Sequence, residues 1–138
     1  MISLILGHKG AGKTKHLISC VNEAVETSKG NVICIEKETK LTYDVNYRAR
    51  LIATDDYEVK GYDCFFGFLA GVCAGNHDIT DVLIDATLRI GGRDYNALAK
   101  FLEEVYELSN VHEKNFVFTV SADREELPES IFNFCKVL

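Results

Sequence analysis

The clearest chemical signal in this sequence is Gly7-His8-Lys9-Gly10-Ala11-Gly12-Lys13-Thr14, which satisfies the pattern G-x-x-x-x-G-K-[ST] in full. Each part of the pattern has a physical task. Glycines permit positive φ and let the main chain come close to a ligand. Successive backbone N–H groups can then turn inward as an anion nest, and a helix that starts near Lys13 adds the positive end of its dipole. Lys13 can reach β- and γ-phosphate oxygens, and the Thr14 hydroxyl can ligate Mg²⁺. Gly7, Gly10, Ala11, Gly12, Lys13, Thr14 and Lys15 are therefore the expected cradle of a nucleoside triphosphate bound with Mg²⁺. No guanine-reading Asn-Lys-x-Asp string is present, and ATP is the expected ligand. His8 and Lys9 occupy the variable positions and read as solvated.

A magnesium–phosphate site also needs a carboxylate, and such groups sit at the ends of apolar strands. Asp85 closes Val82-Leu83-Ile84-Asp85 and is the expected metal partner of Thr14. Asp81 precedes the same run, so it should lie at the opposite edge of a sheet whose ligands collect at the carboxyl ends of its strands. Hydrolysis needs a group that orients water. Glu36 ends the run Val32-Ile33-Cys34-Ile35 and is a candidate general base, if that strand lies beside the one that carries the glycine loop. Its plainer reading is a strand-end residue paired with Lys37. Arg89 and Arg93 flank Gly91-Gly92 just past Asp85; one could touch phosphate or serve a neighbouring subunit as an arginine finger, but solvated side chains are the preferred reading.

Positioning these groups requires strands and helices in alternation. Ile2–Leu6 is a short apolar run stopped by Gly7, which fits a buried strand. Leu17, Ile18, Val21, Ala24 and Val25 then recur at helical spacing and predict a helix from about 13 to 27. Residues 31–35, 81–85 and 115–120 read as further strands. Helical faces are expected at 62–74, with Phe65, Phe66 and Phe68 mostly in the core, and after Asp94, a cap for the helix carrying Leu98, Phe101, Leu102, Val105 and Leu108. Gly91-Gly92 reads as a turn. In 36–60, Leu41, Tyr43 and Val45 alternate with polar residues and suggest a hairpin turning near Asn46, or a short excursion. The tail from Pro128 to Phe134 suggests a short helix followed by extended chain. The economical architecture is a single domain over 1–138, three-layer α/β, around a mainly parallel sheet.

Composition narrows the function classes. A net charge of −6 argues against broad nucleic-acid binding, which needs a basic surface. Tyr47, Arg48 and Arg50, with Tyr43, could form a small stacking patch, but the outer face of a hairpin is the preferred reading. Cys20, Cys34, Cys64, Cys73 and Cys135 make no close Cys-x-x-Cys pair, and no His cluster completes a zinc pattern. They are expected to be small buried hydrophobes in a reducing compartment. Met1–Leu6 is too short and lacks the basic start of a secretion signal, and no apolar run reaches the ~20 residues of a membrane span. The expected location is cytoplasmic, with no membrane partner.

With these residues in place, the chain resembles the RecA-type branch of the P-loop NTPases. The resemblance rests on the loop Gly7 to Thr14, on Glu36 at the end of the second strand, and on Asp85 followed by a small residue. It implies a P-loop NTPase fold, with Glu36 in the place of the catalytic glutamate and Asp85 as the magnesium-linked aspartate. It also implies Ser121, after the strand that ends at Val120, as a polar sensor of the γ-phosphate. Many P-loop ATPases place Glu directly after the magnesium aspartate, and here that position is Ala86. The chain also resembles small bacterial ATP-binding proteins of unassigned role. Three functional readings stay open: slow hydrolysis of the β–γ anhydride with Lys13 and Glu36 as the catalytic pair, phosphoryl transfer to a small acceptor, and a non-catalytic regulator that presents a nucleotide-dependent surface to a protein partner or to a second copy of itself.

Overall fold

The strand that ends in the glycine loop, β1 (Ile2–Leu6), lies inside a six-stranded sheet of order β3-β2-β4-β5-β1-β6, in a computed structural model that describes residues 1–42 and 44–138. The other strands are β2 (Asn31–Glu36), β3 (Arg50–Ala53), β4 (Ile79–Ile84), β5 (Asn115–Val120) and β6 (Cys135–Val137). Every pairing is parallel. The sheet is thus wholly, rather than mainly, parallel, and all its strands present their carboxyl ends at one edge.

A parallel sheet must be covered on both faces, and alternate residues of each strand face opposite layers. On one face Ile5, Val32, Cys34 and Leu83 meet Leu17 and Val21 of α1 (Lys13–Thr27). On the other, Leu4, Ile35, Ile84, Phe116 and Phe118 meet α2 (Tyr62–Ala74) and α4 (Tyr95–His112). The three-layer α/β expectation holds in this form. The α4 cap is as expected: the Asp94 carboxylate accepts from Asn96 N at 3.0 Å and Ala97 N at 3.1 Å. Phe65 is fully buried, and Phe66 and Phe68 pack against the same core while partly exposed.

Several local expectations are corrected. There is no hairpin near Asn46 among the described residues; Tyr43, one of its expected residues and one of the alternative stacking patch, lies outside them. Residues 37–42 and 44–49 instead belong to an irregular crossover into β3, which pairs parallel to β2 through Cys34–Leu51 and Ile35–Ile52. The buried positions there are Leu41, Val45 and Ala49, spaced by four rather than two, so one side of the segment packs on α1's layer. A parallel connection needs about a dozen residues, and this segment supplies them. Gly91-Gly92 is not a free turn either. Thr87–Gly91 is a short helix, α3, and Gly92 at φ 113 ends it. A Cβ on Gly91 would come within 2.1 Å of the Tyr62 ring, which explains the glycine. The fourth strand runs 79–84, so Asp85 lies just past it. The tail forms 3-10 turns at Arg124–Glu126 and Glu129–Asn133 before β6. Cys34, Cys73 and Cys135 are buried as expected, while Cys20 is partly exposed and Cys64 is exposed. No helix of the described residues is long and apolar enough to cross a membrane.

Candidate functional site

At the carboxyl edge of the sheet, β1 runs into the glycine loop. Gly7, Gly10 and Gly12 have φ of 141, 92 and 83, values that side chains disfavour. A Cβ on Gly7 would meet Ala11 Cβ at 2.7 Å, so the loop's closing pair must include a glycine. The loop is pinned by Gly7 N, which donates to Ala122 O at 3.0 Å, and by Ala11 N, which donates to His8 O at 3.0 Å. It opens directly into α1. Gly12 stands at that helix's N-cap with no side-chain cap and no acidic residue in the first turn. The first-turn N–H groups are therefore free of side-chain acceptors and point their dipole end at the cleft. Lys13 Nζ donates to His8 O at 3.1 Å, folded over the loop.

Two strands away, β4 delivers Asp85. Thr14 Oγ1 donates to Asp85 Oδ2 at 3.1 Å, so the two expected metal partners are adjacent. A third residue, absent from the sequence-based expectations, completes the group. Thr119 Oγ1 donates to Asp85 Oδ1 at 2.7 Å and accepts from Ala86 N at 2.8 Å. It fixes the carboxylate and the turn behind it, where Ala86 takes a left-handed conformation at φ 59. The signal for Thr119 was a hydroxyl in an otherwise apolar run, but only the β4–β5 register, Ile84 opposite Phe118, puts the next pair side by side. Thr119→Val keeps the shape but strands the Ala86 N–H and removes a donor from Asp85. It is expected to cost about 1–3 kcal/mol of stability, measured by urea unfolding.

Ser121, Lys15 and Lys13 line the same cleft as Thr14 and Asp85, as do Lys9, Lys40, Arg89 and Arg93. Asp81 lies toward the amino end of β4, where Asn115 Nδ2 is 3.5 Å from its carboxylate, well away from the cleft. His8 is not free in solvent. Its Nε2 pairs with the Glu126 carboxylate and lies 3.5 Å from Asp123 Oδ2. These two carboxylates belong to a capping box at the 3-10 turn after β5, so the contact ties the glycine loop to that turn.

Glu36 takes a different place from the one expected. β2 is not beside β1: β4 and β5 lie between them. The carboxylate is buried, accepts from Lys40 N at 2.7 Å and Leu41 N at 3.3 Å, and does not line the cleft. It holds the start of the 37–49 crossover. The expected partner Lys37 pairs instead with Asp55 at 2.9 Å. Burial pushes the Glu36 carboxyl above its ordinary 4.5, opposed by the two backbone donors and reinforced by Asp85. A raised folded value means that the folded state holds the proton to higher pH. The stability from that proton is complete below about 4.5 and is lost as pH rises through the folded value. The stability of wild type relative to Glu36→Gln should therefore fall between pH 4.5 and neutrality. Urea titrations across that range measure it; a rising difference would mean that the backbone donors outweigh burial.

Chemically, the arrangement offers a cationic, N–H-lined cradle beside a hydroxyl–carboxylate pair suited to a hard divalent ion. No protein-family model matches this chain, and no curated protein matches it either.

Proposed function

We propose that this chain is a P-loop protein that binds a nucleoside triphosphate, ATP by expectation, together with Mg²⁺ at Gly7 to Thr14. The observation that carries the reading is the meeting of two sequence-distant parts. The glycine loop and uncapped start of α1 suit phosphate, and the Thr14 hydroxyl lies 3.1 Å from the Asp85 carboxylate, which suits the ion that accompanies phosphate. The donor set fits: the Thr14 hydroxyl and the Asp85 carboxylate are both oxygen donors, which would suit Mg²⁺. Bound there, Mg²⁺ would neutralise charge between the terminal phosphates. Lys13 would leave His8 O for a phosphate oxygen, and Thr119 would keep Asp85 aimed. Ser121 lies in the cleft where a terminal phosphate could meet it.

Turnover is expected to be slow. Asp85 is the one carboxylate among the described cleft residues, and it is committed to the ion. Ala86 supplies no base, and Glu36 is occupied by the crossover. Binding and its consequences, more than hydrolysis, are therefore what this site is built to deliver. Calorimetric titration with a non-hydrolysable ATP analogue tests the reading. Saturable binding in Mg²⁺ should weaken at least about tenfold, or 1.4 kcal/mol, when EDTA removes the metal. No binding by the intact protein in Mg²⁺ would defeat it.

A further inference from the structure

The cleft is more cationic than one magnesium-bound triphosphate requires. Lys9, Lys13, Lys15, Lys40, Arg89 and Arg93 line it, six of the chain's 15 lysines and arginines, in a protein of net charge −6. Among the described residues that line the cleft, Asp85 is the one carboxylate. The cations fall into two groups. Lys9, Lys13 and Lys15 belong to the glycine loop and the start of α1. Lys40 comes from the crossover after β2, and Arg89 and Arg93 from α3 and its end. Neighbouring strands are ~4.8 Å apart, so β4, two strands from β1, places the base of the two arginines roughly 10 Å across the sheet, and β2, three strands away, places that of Lys40 roughly 14 Å across.

This second group is only partly neutralised. One carboxylate, Glu38, accepts from Arg89 Nη2 at 3.1 Å and lies 3.5 Å from Lys40 Nζ, which gathers the two segments at the cleft's far side. Arg93, redirected by Gly92 at φ 113, has no hydrogen bond or ion pair among the described residues. Glu36 fixes the backbone of Lys40 from beneath. We infer that the far half of the cleft, between Lys40, Arg89 and Arg93, binds a second ligand alongside the nucleotide: a small molecule carrying a phosphate group. The inference rests on the nucleotide reading above. Guanidinium forks match phosphate oxygens two at a time, and a dianion offsets the surplus that Glu38 alone leaves. The whole cleft, glycine loop included, encloses about 810 Å³, so the second ligand must be small, and the net charge of −6 does not suit a polynucleotide.

The test uses inorganic phosphate as the probe. The full chain is saturated with Mg²⁺ and a non-hydrolysable ATP analogue, so that the triphosphate already fills the glycine loop, and phosphate is followed by ³¹P line broadening. Saturable broadening is expected. Arg89→Gln/Arg93→Gln should weaken it about tenfold or more, the worth of one lost charge-assisted pair, and Lys40→Gln should weaken it less. Nucleotide affinity should stay within about threefold in both variants. Two results would overturn the inference: no saturable broadening with the wild type, or a double variant that loses nucleotide affinity as heavily as Lys13→Ala, which would assign the arginines to the triphosphate. Failure of the nucleotide reading looks different. The analogue would not bind the wild type, while phosphate binding that survives in Lys13→Ala and is lost in the arginine variant would still place an anion site here.

Discussion

Lys13→Ala should abolish most nucleotide binding while leaving the fold intact. The ammonium folds over the loop onto His8 O, at 3.1 Å, and is the flexible cation closest to the uncapped first turn of α1. Removing one member of a desolvated charge pair costs about 2–5 kcal/mol, or roughly 30-fold to more than 1,000-fold in affinity. The loss should appear in calorimetry with the Mg²⁺-bound analogue. Thermal stability should change by less than about 0.5 kcal/mol, because His8 O is at the surface and water replaces the lost donor. Lys13→Arg should restore only part of the affinity, since the loop is shaped around a compact point charge rather than a planar fork. An alanine variant that binds as tightly as wild type would remove the glycine loop from the account of the site.

The largest expected loss of stability is at the opposite end of the argument, in the layer beneath the cleft. Phe101 of α4 is 1% exposed and sits at the centre of an aromatic cluster. Its ring centroid lies 4.9 Å from Phe65 in a stacked arrangement, 5.1 Å from Tyr62 and 5.7 Å from Phe118, which it meets edge-on. One side chain thus joins α2, α4 and β5. Phe101→Ala should cost about 3–5 kcal/mol, the sum of lost transfer energy and the cavity left behind. That is a fifth or more of a typical stability of about 5–15 kcal/mol. A lowering of the melting temperature by roughly 10–20 °C is expected for a chain of this size. Phe66→Ala, partly exposed at the rim of the same core, should cost clearly less. A small effect at Phe101 would mean that the surrounding rings can collapse into the space.

The parts of this molecule legible in the sequence are those set by local rules. The glycine loop announced itself because its spacing is dictated by main-chain geometry, and α1 and α4 because one buried face repeats at helical spacing. The Asp94 cap was legible for the same reason. What was hidden depends on strand order, which no local pattern encodes. Glu36 looked like a base beside the loop-bearing strand, yet two strands separate them, and its burial serves the crossover. Thr119 was invisible as an Asp85 partner until β4 and β5 were paired. The 37–49 segment misled because Leu41 and Val45 satisfy both a two-residue and a four-residue repeat, and only packing on the α1 layer decides between them.

The strand that carries the glycine loop is enclosed by a neighbour drawn from the far end of the sequence, with Ile2 opposite Cys135 and Leu4 opposite Val137. Pairings over so many residues raise contact order and slow folding. During synthesis, β1 leaves the ribosome well before the two strands that enclose it, with β5 and then β6 arriving on its two sides. Until then, an apolar strand with open edges waits for partners and is exposed to mispairing with other chains. The cleft therefore matures late, since the strand that carries the glycine loop is enclosed only once β5 and β6 have docked.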